Sequence, residues 1–324
     1  MSGLTRQALL FPGQGSHFVG MTAGLADYEW AQSTFAEASS AVGTDIFRLC
    51  ADGPEEELAK TEYAQVAIFV TSYCLLRLAH ERTGEVYAAA GHSLGEYTAL
   101  AAAGAIEFSH AVALVSERAS AMAEACEANP GGMSAILGAD WSAIEDLCSS
   151  RRGQGGEIWA ANQNAPGQSV VAGSNDDLDW LAEHGKEVGA KRVIRLSVSG
   201  AFHSPYMEPA AKRLAAALSA TPVSGPAFTV WSNVTGRPHG SPEEIKALLA
   251  EQLTAPVRWT ECVRGILESG ANELVCLGPG DAIAGMVRRI ADGEKIVRLE
   301  TAEAAASAGP VEAAVEQDQP AVRA

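Results

Sequence analysis

The stretch Val86-Tyr-Ala-Ala-Ala-Gly-His-Ser-Leu-Gly95 constrains this chain more than any other. A short run of small apolar residues leads straight into Gly91-His92-Ser93-Leu94-Gly95, and an Ala-rich helix is expected to follow to about Ala103. Strand, sharp turn and helix form the repeating unit of a parallel α/β sheet, whose strands are covered on both faces and read as continuous apolar runs. In that context G-x-S-x-G is the turn that lifts a serine hydroxyl out of the loop and towards a cleft. Ser93 is therefore a candidate nucleophile, and the helix start behind it offers N–H groups and a favourable dipole to a developing oxyanion. The plain alternative is an ordinary strand-to-helix turn, since Gly-Ser-Gly runs are common there.

The rest of the chain repeats this logic. Ala8–Phe11 reads as a buried strand stopped by Pro12-Gly13, and helices are expected over Tyr28–Ala41, Ala64–His80 and Ser109–Ala128. Asn129-Pro-Gly-Gly132 then breaks the chain. Residues 132–197 read as a separate unit. Its strands are Met133–Leu137, Ile158–Asn162, Ser169–Ala172 and Arg192–Leu196; its helices are Trp141–Ser149, with Asp140 placed to cap it, and Ser174–Val188. That β-α-β-β-α-β order is ferredoxin-like. The main domain would occupy 1–131 and 198–300, with helices Glu208–Ala220, Pro242–Leu253 and Ala282–Ile290 and strands Phe228–Ser232 and Glu273–Leu277. The expected fold is thus α/β: an α/β-hydrolase-like main domain with a parallel sheet and an inserted ferredoxin-like subdomain. From 301 to 324 the chain is mostly Ala, Glu, Gln and Pro, and it reads as a disordered tail.

Composition removes several functions. Lys and Arg number 23 against 40 Asp and Glu, a net charge of −17 that argues against nucleic acid as a partner. No apolar run approaches the roughly 18 residues of a membrane span. The six cysteines form no CxxC pair and have no His at ligand spacing, so no metal site is expected. Free thiols in a reducing, cytoplasmic setting are favoured over disulfides. Gly13-Gln14-Gly15 falls short of the dinucleotide fingerprint, with no suitable acidic residue on a following strand. In a parallel sheet this loop converges on the same rim as Ser93, so the N–H of Gln14 is read as a second oxyanion donor.

A serine needs a base. His203, in Ser199-Gly-Ala-Phe-His-Ser-Pro205, follows the strand that closes the inserted unit. His17, His80, His110, His184 and His239 sit in helices or polar loops without such a setting, and the side chain of His92 is expected to point away from Ser93 and support the turn. Arg118 lies on an otherwise apolar helix. It either snorkels to solvent or aims its planar fork at a carboxylate within the cleft.

Taken together, Phe11-Pro-Gly-Gln-Gly15, Gly91-His-Ser-Leu-Gly-Glu96, Arg118-Ala-Ser-Ala-Met122, Gly200-Ala-Phe-His-Ser204 and Ser232-Asn-Val-Thr-Gly236 resemble the malonyl-CoA:acyl-carrier-protein transacylases. Asn162-Gln-Asn-Ala-Pro-Gly-Gln168, Gln252-Leu-Thr-Ala-Pro-Val-Arg-Trp259 and Gly278-Pro-Gly280 extend the resemblance over about residues 7–292. Fatty-acid enzymes and the discrete acyltransferases serving polyketide synthases share the pattern. The resemblance implies that Ser93 is acylated by malonyl-CoA with His203 as base, and that the backbone carbonyl of Gln252 orients His203. It further implies an oxyanion hole from the N–H groups of Gln14 and Leu94. Arg118 would pair with the malonyl carboxylate, Phe202 would narrow the pocket beside the α-carbon, and Met122, Gln65 and Asn162 would complete the substrate site. No cofactor is implied beyond the phosphopantetheine of donor and acceptor. The partner is an acyl carrier protein, itself acidic, so a local basic patch drawn from Arg192, Arg195, Arg288, Arg289 and Lys295 is expected on a monomeric enzyme. Transfer of a methylmalonyl or ethylmalonyl unit, a serine thioesterase or hydrolase sharing G-x-S-x-G, and a non-catalytic scaffold are the alternatives.

Overall fold

The computed structural model describes residues 5–80 and 85–307. Its strands are β1 (Gln7–Phe11), β2 (Val86–Gly91), β3 (Gly132–Leu137), β4 (Ile158–Ala165), β5 (Gln168–Gly173), β6 (Arg192–Arg195), β7 (Thr229–Trp231), β8 (Glu273–Leu277) and β9 (Lys295–Leu299). Five of them form one sheet in the order β7-β2-β1-β8-β9, every neighbouring pair parallel. The other four form an antiparallel sheet ordered β4-β5-β3-β6.

The parallel sheet separates two apolar layers, and alternation along β1 shows why. Leu9 and Phe11 face the core built on helices Thr61–His80 and Phe108–Ala128. Ala8 and Leu10 face the other core, with Trp259, Val263 and Ile266 of helix Trp259–Glu268 and Val287 of helix Ala282–Ile290. With period-2 side chains and helices on both sides, no polar position is tolerated in mid-strand. The chain starts centrally at β1, builds β2 and β7 to one side, then crosses to β8 and β9. In such sheets ligands bind beyond the carboxyl ends of the strands where the winding reverses. The Pro12–Gly15 loop after β1 and the turn after β2 both lie there.

The antiparallel sheet has its own core of Ile136, Ile144, Ile158, Val171, Leu178 and Leu181. It is stitched to the main body where Gln163 N–H donates to the carbonyl of Val257 (2.9 Å) and Val257 N–H to that of Ala161 (2.8 Å). Ser174 caps helix Asn175–His184 through Asp177 N–H, whereas Asp140 holds the cap position of helix Trp141–Gly153 without accepting a bond through its side chain.

One expectation is corrected at the C-terminus. Residues 302–307 form a helix whose start is held by Thr301 Oγ1 accepting from Ala304 N–H (3.1 Å), and Ala302 and Ala305 are buried in the main core. These two small apolar residues, three apart, put one face of the helix against helix Thr61–His80. The remainder of the expected disordered tail, 308–324, lies outside the described residues.

Candidate active site

Ser93 sits between β2 and helix Gly95–Ala102 with φ +51°, a left-handed backbone that is costly for a residue with a Cβ. The flanking glycines are a matter of space. A Cβ on Gly91 would fall 1.8 Å from the carbonyl carbon of Gly95, and one on Gly95 would fall 2.5 Å from the carbonyl oxygen of Phe11. The turn closes only with glycine at both positions. Leu94, immediately after the serine, is the N-cap of the helix, its side chain buried in the core and its N–H at the helix start.

His203 also has a positive φ, +58°, and comes from the loop after β6. Its Nε2 lies 2.9 Å from Ser93 Oγ and its Nδ1 lies 2.8 Å from the backbone oxygen of Gln252. A carbonyl only accepts, so the proton belongs on Nδ1 and Nε2 is left to receive the serine proton. Burial pushes the His203 imidazole down to about 3, reinforced by the nearby Arg118 cation and opposed by the Gln252 carbonyl. At neutral pH it is an uncharged base.

Arg118 is 1% exposed, so it does not snorkel to solvent. Its Nη2 donates to Ser93 Oγ (2.9 Å) and to Gln252 Oε1 (3.1 Å), and its Nη1 donates to Gln65 Oε1. All these acceptors are neutral. Among the described residues no carboxylate lies within ion-pair distance of Arg118, although Glu96 acts on it from further away. Ser93, His203 and Arg118 share a cavity of about 290 Å³ with Gln14, Phe202, Met122 and Asn162. Gln65 stands just behind that wall, bonded to Arg118 and 3.4 Å from Met122 Sδ. Seven of the residues expected in the site thus line one cavity, Gln65 and Gln252 reach it through Arg118, and the Leu94 side chain is buried in the core.

The acyl transferase domain model matches residues 8–279. The malonyl CoA-acyl carrier protein transacylase of Salmonella typhimurium is 41% identical over 291 residues, covering 89% of this chain and 94% of its own. The chain belongs to the malonyl CoA-acyl carrier protein transacylase family. The solved transacylase of Coxiella burnetii superposes with a TM-score of 0.88 at 36% identity, covering 93% of this chain and 96% of its own. A malonyl-transacylase solved in complex with a type II polyketide synthase acyl carrier protein gives 0.88 at 38% identity, covering 94% and 99%.

Within this family member the structure adds further residues to the site. The His92 ring bonds Asn164 Oδ1 through Nε2 (2.8 Å) and packs edge-on against Trp259 rather than meeting Ser93 Oγ, although the residue also lines the cavity. Burial lowers its basicity against the opposing Asn164 bond. Asn233, Glu96 and His239, which the sequence reading gives no role, form a hydrogen-bonded chain that ends on the Ser93 N–H. Only the family motif carries a signal for Glu96 and Asn233. His239 had none, since its partner is 143 positions away.

The five residues expected to form a basic patch lie on three elements. Arg195 on β6 pairs with Asp179 and Asn175, and Lys295 on β9 pairs with Glu273. Arg192 lies on β6 as well, while Arg288 and Arg289 end helix Ala282–Ile290. Of the five, Arg289 lines the cleft that adjoins the Ser93 cavity through Gln14, Gly15 and His92. Among the described residues no group of His, Cys, Asp and Glu could hold a metal, and no helix is long and apolar enough to cross a membrane.

Proposed function

We propose that this enzyme moves a malonyl group from coenzyme A to the phosphopantetheine thiol of an acyl carrier protein by way of an ester on Ser93. Ser93 Oγ attacks the thioester carbonyl as His203 Nε2 takes its proton, and the oxyanion forms facing the N–H groups of Gln14 and Leu94. Collapse breaks the C–S bond, and the imidazolium returns the proton to the departing sulfur. The carrier thiol then attacks the malonyl ester by the same route in reverse, which splits one transfer into two easier steps. Nucleophile, base and donors all come from the chain, so the scheme calls on no cofactor or metal of its own.

The observation that carries the malonyl assignment is Arg118, buried at 1% exposure with only neutral oxygens on its guanidinium. Burying an unpaired cation is costly, and a carboxylate reaching the cleft offsets that cost through a bidentate pair. An acetyl group cannot. Phe202 and Met122 on the cavity wall support a small, unbranched α-carbon. The reading also includes a monomeric enzyme, and a cytoplasmic setting supported by six cysteines that are all buried and unpaired.

The test is mass spectrometry of the protein mixed with malonyl-CoA, then with a holo carrier protein. One malonyl adduct is expected, missing in Ser93→Ala and passed to the carrier. Release of mostly free malonate points to a hydrolase, preference for methylmalonyl-CoA to a branched extender, and no adduct to a scaffold. Competition between fatty-acid and polyketide carriers assigns the pathway.

A further inference from the structure

Beneath the nucleophile lies a polar cluster that the transfer scheme does not use. Glu96, in the first turn of the helix after Ser93, is fully buried. Its Oε1 accepts from His239 Nε2 at 2.7 Å, while Oε2 accepts from Gln252 Nε2 (2.7 Å) and from Asn233 N–H (3.0 Å). The two amide residues reach onward to the nucleophile. Asn233 Oδ1 accepts from the N–H of Ser93 (2.6 Å), and Asn233 Nδ2 donates to the carbonyl of Gly91 (2.8 Å). Gln252 Nε2 donates to the carbonyl of Ser93 (3.1 Å). Both peptide groups of a residue held at φ +51° are therefore gripped by side chains tied to one carboxylate. Gln252 also orients His203 through its backbone oxygen and meets Arg118 through Oε1.

We propose that Glu96, anchored by His239, is a positioning residue that fixes the Ser93 turn and Gln252 together and so holds nucleophile and base in register. Neither side chain reaches the cavity, so both act through other residues. Chemistry explains the choice of a carboxylate. All of the groups facing Glu96 are donors, and an ionised carboxylate is the side chain that only accepts. A glutamine of the same shape must turn an NH₂ towards at least one of them. Strained backbone persists only where its surroundings over-determine it, and this cluster supplies that constraint at the point of attack.

The inference rests on Ser93 being the nucleophile but not on the acyl group it carries. Its experiment therefore times Ser93 in two ways: labelling by a fluorophosphonate, which forms an O–P bond and expels fluoride, and single-turnover acylation by malonyl-CoA. In Glu96→Gln both rates should fall about 10- to 100-fold, since small misplacement of reacting atoms is amplified in rate. The final labelled fraction should stay at one per chain, and the KM for malonyl-CoA should stay within about twofold of its original value. His239→Gln keeps a donor to Glu96 and should recover most of the rate, whereas His239→Leu should not. That pair keeps the proposal testable if Glu96→Gln folds poorly. A reduced labelled fraction at unchanged rate would mean a purely structural role and overturn it, as would equal rates in the two His239 variants. If the unaltered protein takes the phosphonate but not malonyl, the transfer reading fails while the positioning result stands.

Discussion

The two sheets contribute to one cleft in different currencies. The helices and turns around the parallel sheet deliver Ser93, from the end of β2, and groups bonded to it: Arg118 on its Oγ from the helix after next, and Gln252 on its backbone carbonyl. The antiparallel sheet delivers a wall, with Met133, Asn162, Asn164, Val170 and Leu196 facing the cavity, and Asn164 bonds to His92 in the Ser93 turn. Positive φ at Ser93 and crowded glycines mark the first region, whereas the wall residues come from strands, with register shifts in β4 at Ala160/Asn162 and Gln163/Ala165, and from the stretch just after β6. Chemistry sits where the backbone is strained and over-determined. Shape comes from wall residues that pack into the main core, Met133 and Val170 among them, so the wall can alter acyl preference without a bonded contact to Ser93 Oγ.

The largest break in this contrast should come from the base. His203→Ala removes the only group 2.9 Å from Ser93 Oγ that can take its proton. Transfer should fall on the order of 10⁴-fold in kcat, the upper range for general base catalysis, with little change in thermal stability. A stopped-flow acylation assay checks it. A loss below tenfold would mean that Ser93 is activated elsewhere.

Arg118→Met should come next. Malonyl transfer is expected to fall roughly a hundredfold, in line with removing one partner of a buried charge pair, while acetyl transfer rises relative to it. The same variant carries a pH signature. The Arg118 cation helps hold His203 far below its ordinary value, down to about 3. The neutral imidazole is the active form, so the acid limb of kcat/KM lies well on the acid side of 6.5 in the unaltered enzyme. Removing the cation raises the His203 value, and the limb should move to higher pH. Burial is the larger cause, so the limb stays below 6.5. A pH–rate profile with an unmoved limb would show that Arg118 and His203 are not electrostatically coupled.

How much of this was legible follows from whether a feature is local. Strand β2, its turn and its helix were plain because apolar run, glycines and Ala-rich helix are adjacent in sequence. The order of the antiparallel unit was plain for the same reason. Helix Trp259–Glu268 is absent from the sequence expectations although Trp259, Cys262, Val263 and Ile266 recur at the i, i+3, i+4, i+7 spacing of a buried face. Reading its start as part of a motif obscured that rhythm. Strand β9 escaped because its exposed edge brings Lys and Arg into a short run. His239 could not be found, for a buried histidine is defined by a carboxylate that only folding brings to it. The contrast between Asp140 and Ser174 is similar: both hold cap positions, but only one side chain turns back to the helix.

The smallest expected effect sharpens the division of labour most. Asn164 links the wall to the turn by its hydrogen bond with His92 Nε2. Asn164→Ala leaves a buried ring nitrogen without its partner, which costs about 1–3 kcal/mol where water cannot replace it. The fold contains that strain locally, because His92 is also braced against Trp259 and its N–H donates to the carbonyl of Phe11 (2.9 Å). The expected result is about a tenfold fall in kcat/KM. Most of it should lie in KM, since the wall shapes the substrate cleft and the Ser93–His203 pair is untouched. Malonyl and acetyl donors should suffer alike, unlike Arg118→Met, because a neutral amide discriminates no charge. A kcat loss as deep as that of Arg118→Met would place the wall within the chemistry, and the separation of the two sheets into reacting and shaping halves would no longer hold.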